Sequence, residues 1–274
     1  VLGADDKSAI ANVMTALDIV IRENRPHGDI YICFVPDEEL GEQGARKLDL
    51  AKFPVDWAYT IDCCELGEVV WETFNAGNAK LTVKGIPAHP MSSKGVMVNP
   101  TLVVHDFLNM LDRAATPECT EGREGFIVVK GIQSNPSKAV LTMKVRDHNR
   151  KLYEEKKNLL RAAAEFLRVR HPRAGIELEL SDSYANIADA VTNENRRGID
   201  CLYQALEETG VEAKTKAMRG GTDGSYLSVK GVLTPNYFTG AHNFHSNCEF
   251  LPMSSWEKSL GVTLKLMEIV ARGE

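Results

Sequence analysis

Three carboxylates stand side by side at the end of an apolar run, and this juxtaposition constrains the chain more than any other feature. The run is Ile30-Tyr31-Ile32-Cys33-Phe34-Val35, and Pro36-Asp37-Glu38-Glu39-Leu40-Gly41 follows it. Its length and its β-branched and aromatic content predict a buried strand. In an open α/β sheet, ligands collect at the carboxyl ends of strands. Adjacent anions repel one another, so in a folded protein these three need either full solvation or a cation. A solvated acidic loop and a cation site are both open at this point.

Further acids arrive in the same way. Residues 55–61 read as a second strand, and Asp62 follows it directly. Between the two strands a short helix is expected over 42–48. Near the start, Asp5 and Asp6 precede apolar residues at helical spacing: Ile10, Val13, Met14, Leu17, Val20 and Ile21. That pattern predicts an amphipathic helix with these residues on its buried face. An acid at its start is already accounted for by capping and the helix dipole. Carboxylates drawn from two strand ends and one helix start would nonetheless suit an oxygen- and nitrogen-ligated zinc site. Cys63 and Cys64 follow Asp62, and a vicinal pair can bind metal, close a strained disulfide, or simply fill buried space.

The middle of the chain has a different rhythm. Residues 67–84 are strand-like, a helix is expected over 99–111, a strand over 139–147, a helix over 151–170 and a period-two strand over 176–180. Read as β-α-β-β-α-β, with one strand between the helices given no bounds of its own, the pattern across 78–181 matches a ferredoxin-like split βαβ unit. It predicts an inserted domain over 78–185, with the flanking parts, 1–77 and 186–274, folding together. Within it, prolines on either side of Ala88-His89 make a rigid loop that presents the imidazole. The strand over 139–147 ends on Arg146-Asp147. The last third reads as helix over 193–210, strand over 213–217, a glycine turn at Arg219–Gly224, strand over 232–238, and helix over 254–271. His242 and His245 lie three apart after the last strand.

Composition narrows the partners. The formal charge is −6, from 38 acids against 32 bases, with no basic stripe, which argues against nucleic acid. No apolar run approaches the roughly 18 residues of a membrane span. The opening residues have no signal-peptide core, and the six cysteines show no zinc-finger spacing. A reduced, cytoplasmic chain is expected.

Seven motifs, in order, carry a resemblance. They are Gly-Ala-Asp-Asp-Lys at 3–7, Pro-Asp-Glu-Glu-Leu-Gly at 36–41, Tyr-Thr-Ile-Asp at 59–62, and His-Pro-x-x-x-Lys-Gly-Val-Met-Val-Asn at 89–99. Thr-Glu-Gly-x-Glu-Gly-Phe at 120–126, Arg-Gly-Gly-Thr-Asp-Gly at 219–224 and Phe-Thr-Gly-x-x-Asn-Phe-His at 238–245 complete the set. Together they resemble the dizinc exopeptidases, the family that includes aminoacylase and carnosinase, and within it the peptidase T branch of cytosolic aminotripeptidases.

The resemblance implies an α/β zinc-exopeptidase-like catalytic domain with a mixed sheet. It also implies that the ferredoxin-like α+β insertion is a lid and dimerisation domain. It makes Asp5 the carboxylate bridging two zinc ions, through a cis Asp5–Asp6 peptide. Glu39 and His245 complete one zinc, Asp62 binds the other, and Glu38 is the general base. His89 stabilises the oxyanion, while Arg146 and Asn99 hold the peptide carboxylate. The implied activity is release of the N-terminal residue from tripeptides, with a small peptide as partner and a homodimer through the insertion.

Departures from the family qualify this. The family places a further zinc-binding His-x-Asp motif upstream of the bridging Asp, in a segment that adds strands to the sheet. The sequence begins four residues before Asp5, so an incomplete catalytic domain with one zinc weakly held and an open edge or apolar face is expected. His27 sits in a turn and is a poor substitute. Cys63-Cys64 replaces glycines, and thiolates there could alter metal preference. The alternatives are an N-acyl amino acid or dipeptide hydrolase of the same family, or an inactive fragment that dimerises through the insertion.

Overall fold

Two stretches on either side of a central one fold together, so the chain forms two compact units: residues 1–73 with 186–274, and residues 74–185. The structure is a computed structural model and describes residues 3–273. In chain order its elements are α1 (Ala4–Glu23), β1 (Thr60–Ile61), β2 (Glu68–Glu72), β3 (Asn75–Lys84), α2 (Pro100–Leu108), β4 (Phe126–Asn135) and β5 (Lys138–Asp147). Then come α3 (Arg150–Arg170), β6 (Gly175–Tyr184), α4 (Arg197–Glu208), β7 (Lys214–Ala217), α5 (Asp223–Val229), β8 (Asn236–Tyr237) and α6 (Met253–Arg272). The first boundary falls after Thr73, four residues before the one read from sequence, because β3 belongs wholly to the central unit.

The first unit is α/β with a mixed sheet in the order β1-β8-β2-β7. β1 runs parallel to β8 and β2 parallel to β7, whereas β2 and β8 are antiparallel. Val69, Val70 and Tyr237 in the sheet and Phe238 just after β8 pack with Leu202, Ala205 and Leu206 of α4 and Val262, Leu266 and Ile269 of α6. Burial of each such side chain is worth about 1.5–3 kcal/mol, so this seam anchors the sheet.

Several sequence expectations are corrected here. The run Ile30–Val35 is extended but forms no strand, and Tyr31 and Phe34 are 44% and 54% exposed. Apolar content alone cannot make a strand; a ladder needs a neighbour's N–H and C=O groups. Among the described residues no strand pairs with this segment. The strand expected over 55–61 is reduced to β1, although Ala58 and Thr60 still donate to the carbonyls of Leu233 and Pro235. Likewise 232–238 contracts to β8, and the helix over 42–48 to a single 3-10 turn, Ala45–Lys47. Helix α5 was missed, because its glycine-rich entry reads as a plain turn.

Helix α1 forms, but its buried face is rotated: of the expected positions Val20 is buried and Val13 and Leu17 are half-buried. Its buried positions are Ala4, Ser8, Asn12, Ala16 and Val20, while Ile10, Met14 and Ile21 are exposed. The small and polar residues recur every fourth position and let α1 approach α6 closely. There Asn12 donates to Ser259 Oγ at 2.9 Å and accepts from Thr263 Oγ1 at 2.7 Å. Hydrogen bonding between the helices, rather than hydrophobicity, sets the rotation of α1.

The second unit is an antiparallel sheet in the order β4-β5-β3-β6, with α2 connecting β3 to β4 and α3 connecting β5 to β6. Alternation explains it: Ala79, Leu81 and Val83 of β3 and Ala139, Leu141, Met143 and Val145 of β5 point to one face. Val103, Val104 and Phe107 of α2 and Leu160, Ala164 and Leu167 of α3 cover that face. Gly77 in β3 permits the crossing, since a Cβ there would lie 2.2 Å from Tyr153 Oη and 2.6 Å from the Ser181 carbonyl oxygen.

Candidate metal centre

Three loops of the first unit bring acids together. Asp5 lies at the start of α1, where the Asp5–Asp6 peptide is cis. Buried Glu249 accepts from the backbone N–H of Ala4 and pins this entry. Glu38 and Glu39 lie in the turn after the extended run, and Asp62 directly follows β1. His245 reaches the group from the loop between β8 and α6. Its Nε2 is 2.6 Å from Glu39 Oε1 and 3.0 Å from Asp5 Oδ2. One donor atom from each of Asp5, Glu39 and His245 lies within 4.8 Å of the others.

The backbone around this cluster is unusual. Asp37, Glu42, Cys63, Cys64, Asn243 and His245 all have left-handed φ, between 40° and 68°. Such conformations cost free energy for residues other than glycine and gather at functional sites.

The electrostatics are those of a concentrated anion. Burial, then repulsion from Asp62, Asp5 and Glu38, pushes Asp6 up to about 9. Burial, then Asp223, Glu39 and Asp5, pushes Glu38 up to about 7, against a lowering by His245. Burial raises Asp223 to about 6. Asp62 is raised well above the ordinary carboxylate value by burial, by Asp5 and Glu38, and by a hydrogen bond with Asp5. Burial lowers His245, but the Glu39 and Asp5 carboxylates outweigh it and leave the imidazole raised. Within the cluster, the only ion pairs among the described residues run from His245 to Asp5 and Glu39.

This donor set fits a divalent cation. Uncompensated buried carboxylates are costly, and carboxylate oxygen with imidazole nitrogen is a ligand set suited to zinc. Asp223 adds an independent sign, because its buried Oδ1 has no hydrogen-bond partner among the described residues. It was missed in the sequence, where Gly220-Gly221-Thr222-Asp223 reads as a turn. Thr222 caps α5 with a capping box to Ser225, a pattern that places Asp223 at the helix start. A cleft of about 760 Å³ extends from the acids between α1 and residues 28–35 and 53–62, lined by Ile10, Val13, Ile32, Val55 and Leu227 among others.

Of the remaining candidates, His89, Asn99 and Arg146 belong to the second unit and His27 to the first. His89 is exposed and accepts from the Met91 N–H at 3.2 Å. Asn99 caps α2 by accepting from Thr101 N–H at 3.0 Å. Arg146 of β5 donates to Tyr184 Oη and lies over the Tyr184 ring, 4.9 Å from its centroid. His27 is exposed beside Gly28, whose carbonyl oxygen its ring contacts.

Comparison with known proteins adds to this geometry. The family described as peptidase family M20/M25/M40 matches residues 3–269. A peptidase T-like protein of Rhizobium meliloti (strain 1021) is 49% identical over 271 residues, covering 99% of this chain and 66% of that protein. Peptidase T of Halothermothrix orenii is 41% identical over 98% of this chain and 66% of its own length. The chain thus spans just under two thirds of these relatives. Among solved structures, a tripeptidase from Staphylococcus aureus subsp. aureus mu50 superposes with a TM-score of 0.86 at 22% identity, covering 99% of this chain and 72% of that one. A dinuclear metal-binding peptidase of the M20 family from Bacillus subtilis gives 0.70 at 15% identity, over 97% and 70%. At those identities the likeness establishes a shared fold.

Proposed function

The chain belongs to peptidase family M20/M25/M40, and on that premise we propose that it carries most of a metallo-aminopeptidase that releases the N-terminal residue from tripeptides. One observation carries this reading: Asp5, Glu39 and His245 present a metal-ligand set beside Glu38, whose carboxyl is raised to about 7. Relatives named peptidase T and a solved neighbour described as a tripeptidase support the substrate class.

We assign the residues as follows. Asp5, Glu39 and His245 would hold one zinc, and Asp62 would help to hold a second. Zinc at such a centre supplies Lewis acidity and lowers the pKa of water. Glu38 takes a proton from the attacking water and returns it to the leaving amine, a task best done by a group titrating near the working pH. Asp223 adds negative charge that keeps Glu38 basic. The second unit, with its ferredoxin-like strand order, is the lid and dimerisation domain. There His89 stabilises the oxyanion, and Arg146 with Asn99 holds the peptide carboxylate, for which a guanidinium fork is suited.

The test compares turnover of a tripeptide, a dipeptide and an N-acetyl amino acid by the zinc-loaded protein. Preferential tripeptide cleavage with release of the first residue is expected. Hydrolysis of the N-acetyl substrate without tripeptide cleavage would move the assignment to the acyl amino acid hydrolases. Folded, dimeric protein that takes up no zinc would reduce it to a non-catalytic role.

A further inference from the structure

The vicinal cysteines lie beside the metal centre without belonging to its donor set. Their Sγ atoms are 3.5 Å apart, and both residues hold left-handed φ, 40° for Cys63 and 68° for Cys64. Cys64 is buried, whereas Cys63 is partly exposed. Both line a second cavity of about 330 Å³, together with Glu68, Val70, Lys216 and Met218. The pair is therefore preformed, reachable from one side, and close to sulfur–sulfur contact.

We propose that Cys63-Cys64 is a redox modification site at which a low-molecular-weight disulfide closes a vicinal disulfide and thereby loosens the loop carrying His245. A hydrogen bond with Cys64, then burial, holds the Cys63 thiol well above its ordinary value, so exchange is slow; its sulfur, the more exposed of the two, attacks the small disulfide, passes its proton to the departing half and releases one thiol. Cys64 then attacks the mixed disulfide at the Cys63 sulfur and releases the second. Two protein thiols are oxidised, one small disulfide is reduced to two thiols, and both protons leave with them. Adjacent Cα atoms are about 3.8 Å apart across a trans peptide, below the 4.4–6.8 Å usual for disulfides, so the ring is strained and readily reduced again. That places it among the labile, regulatory disulfides rather than the structural ones.

The hydrogen bonds show where ring closure acts. The peptide unit between the two cysteines carries the Cys63 carbonyl, which accepts from Thr239 N–H at 2.9 Å and from Thr239 Oγ1 at 3.0 Å. The Cys64 carbonyl accepts from Gly240 N–H at 3.1 Å. Drawing the sulfurs together from 3.5 Å to the roughly 2.05 Å of a disulfide must turn that peptide unit. Thr239 and Gly240 open the segment that ends at His245, and Asn236 Nδ2 bridges the Asp62 carbonyl oxygen and Cys64 Sγ. Oxidation therefore disturbs the backbone on the two sides that present Asp62 and His245.

The test uses the full chain with the exposed Cys33, Cys119 and Cys248 replaced by Ser, incubated for hours with oxidised glutathione and read by mass. The peptide containing Cys63-Cys64 should lose the mass of two hydrogens and become resistant to alkylation, and dithiothreitol should restore it. Hydrogen exchange at the Thr239 and Gly240 amides should rise at least about fivefold in the oxidised form as their acceptors turn away. Cys63→Ser should remove both changes. A stable glutathione adduct, a disulfide between chains or an unchanged mass would overturn the proposed ring. A ring that forms without faster exchange at Thr239 would overturn its link to the His245 loop. None of these readouts depends on peptidase activity, so they stand apart from the proposed function.

Discussion

The imidazole of His245 and the carboxylate of Glu39 meet at 2.6 Å, although they come from loops at opposite ends of the first unit's sequence. Asp5 lies 3.0 Å from the same nitrogen. Replacing any one of the three removes a donor and leaves the others facing one another uncompensated. Glu39→Ala and His245→Ala should each weaken zinc affinity by at least about tenfold, read by competition with a chromogenic chelator. Zinc affinity unchanged in both variants would show that the ion sits elsewhere.

Glu38 differs in kind from its neighbour. On the proposed assignment it is a proton carrier rather than a ligand, in keeping with its raised carboxyl and its place outside the Asp5–Glu39–His245 triangle. Glu38→Ala should keep zinc and lose turnover by roughly 10²–10⁴-fold. If zinc is lost from Glu38→Ala and kept in Glu39→Ala, the two roles are exchanged.

How much of this was legible in the sequence depended on where the forces reside. The second unit follows alternation and helical periodicity, both local, and β3, α2, β5, α3 and β6 appear within a few residues of the expected bounds, whereas β4 (Phe126–Asn135) was given no bounds from sequence. The carboxylates were legible because acids gathered directly after apolar runs and at a helix start are conspicuous. The run Ile30–Val35 was misread, since a strand is defined by a neighbour that no local pattern can specify. The rotation of α1 was misread because Asn12 and its bonds to Ser259 and Thr263 outrank the apolar stripe. Asp223 and Glu249 were invisible: one is hidden behind a glycine turn, and the other acts only through a contact with Ala4.

Asn12 offers a direct test of that ranking. It is fully buried between α1 and α6, and both ends of its amide are engaged. Asn12→Ala leaves Ser259 and Thr263 without these partners, which should lower stability by about 1–3 kcal/mol in denaturant unfolding. Met14→Ala, on an exposed position of the same helix, should change it by less than about 1 kcal/mol. The reverse order would mean that the apolar stripe carries the packing.

Gly77 tests the crossing of α3 over the second sheet. A methyl group there meets a tyrosine oxygen at 2.2 Å and a backbone carbonyl oxygen at 2.6 Å, and the backbone cannot yield cheaply. Gly77→Ala should destabilise the unit by about 1–3 kcal/mol. Gly131→Ala, where the nearest atom is 3.6 Å away, serves as the control and should be close to neutral. Equal melting temperatures for the two variants would contradict the steric account.

Asp182 gives a pH dependence with a definite sign. Burial raises its carboxyl, but hydrogen bonds from Tyr153 Oη and Lys157 Nζ, with the charge of Lys157, outweigh that and leave it below its ordinary value of 3.8. A group whose folded pKa is depressed stabilises the fold above its unfolded pKa, and the contribution fades as pH falls through the folded value. Asp182→Asn removes the titration while keeping the side chain's size. The stability difference between the parent protein and this variant should therefore be level from neutral pH down to about 5 and shrink below about 4. Measuring denaturant midpoints for both proteins across that range decides it: a difference that stays constant to the lowest pH at which both remain folded would show that the Tyr153–Asp182–Lys157 contact holds the unit through shape rather than charge.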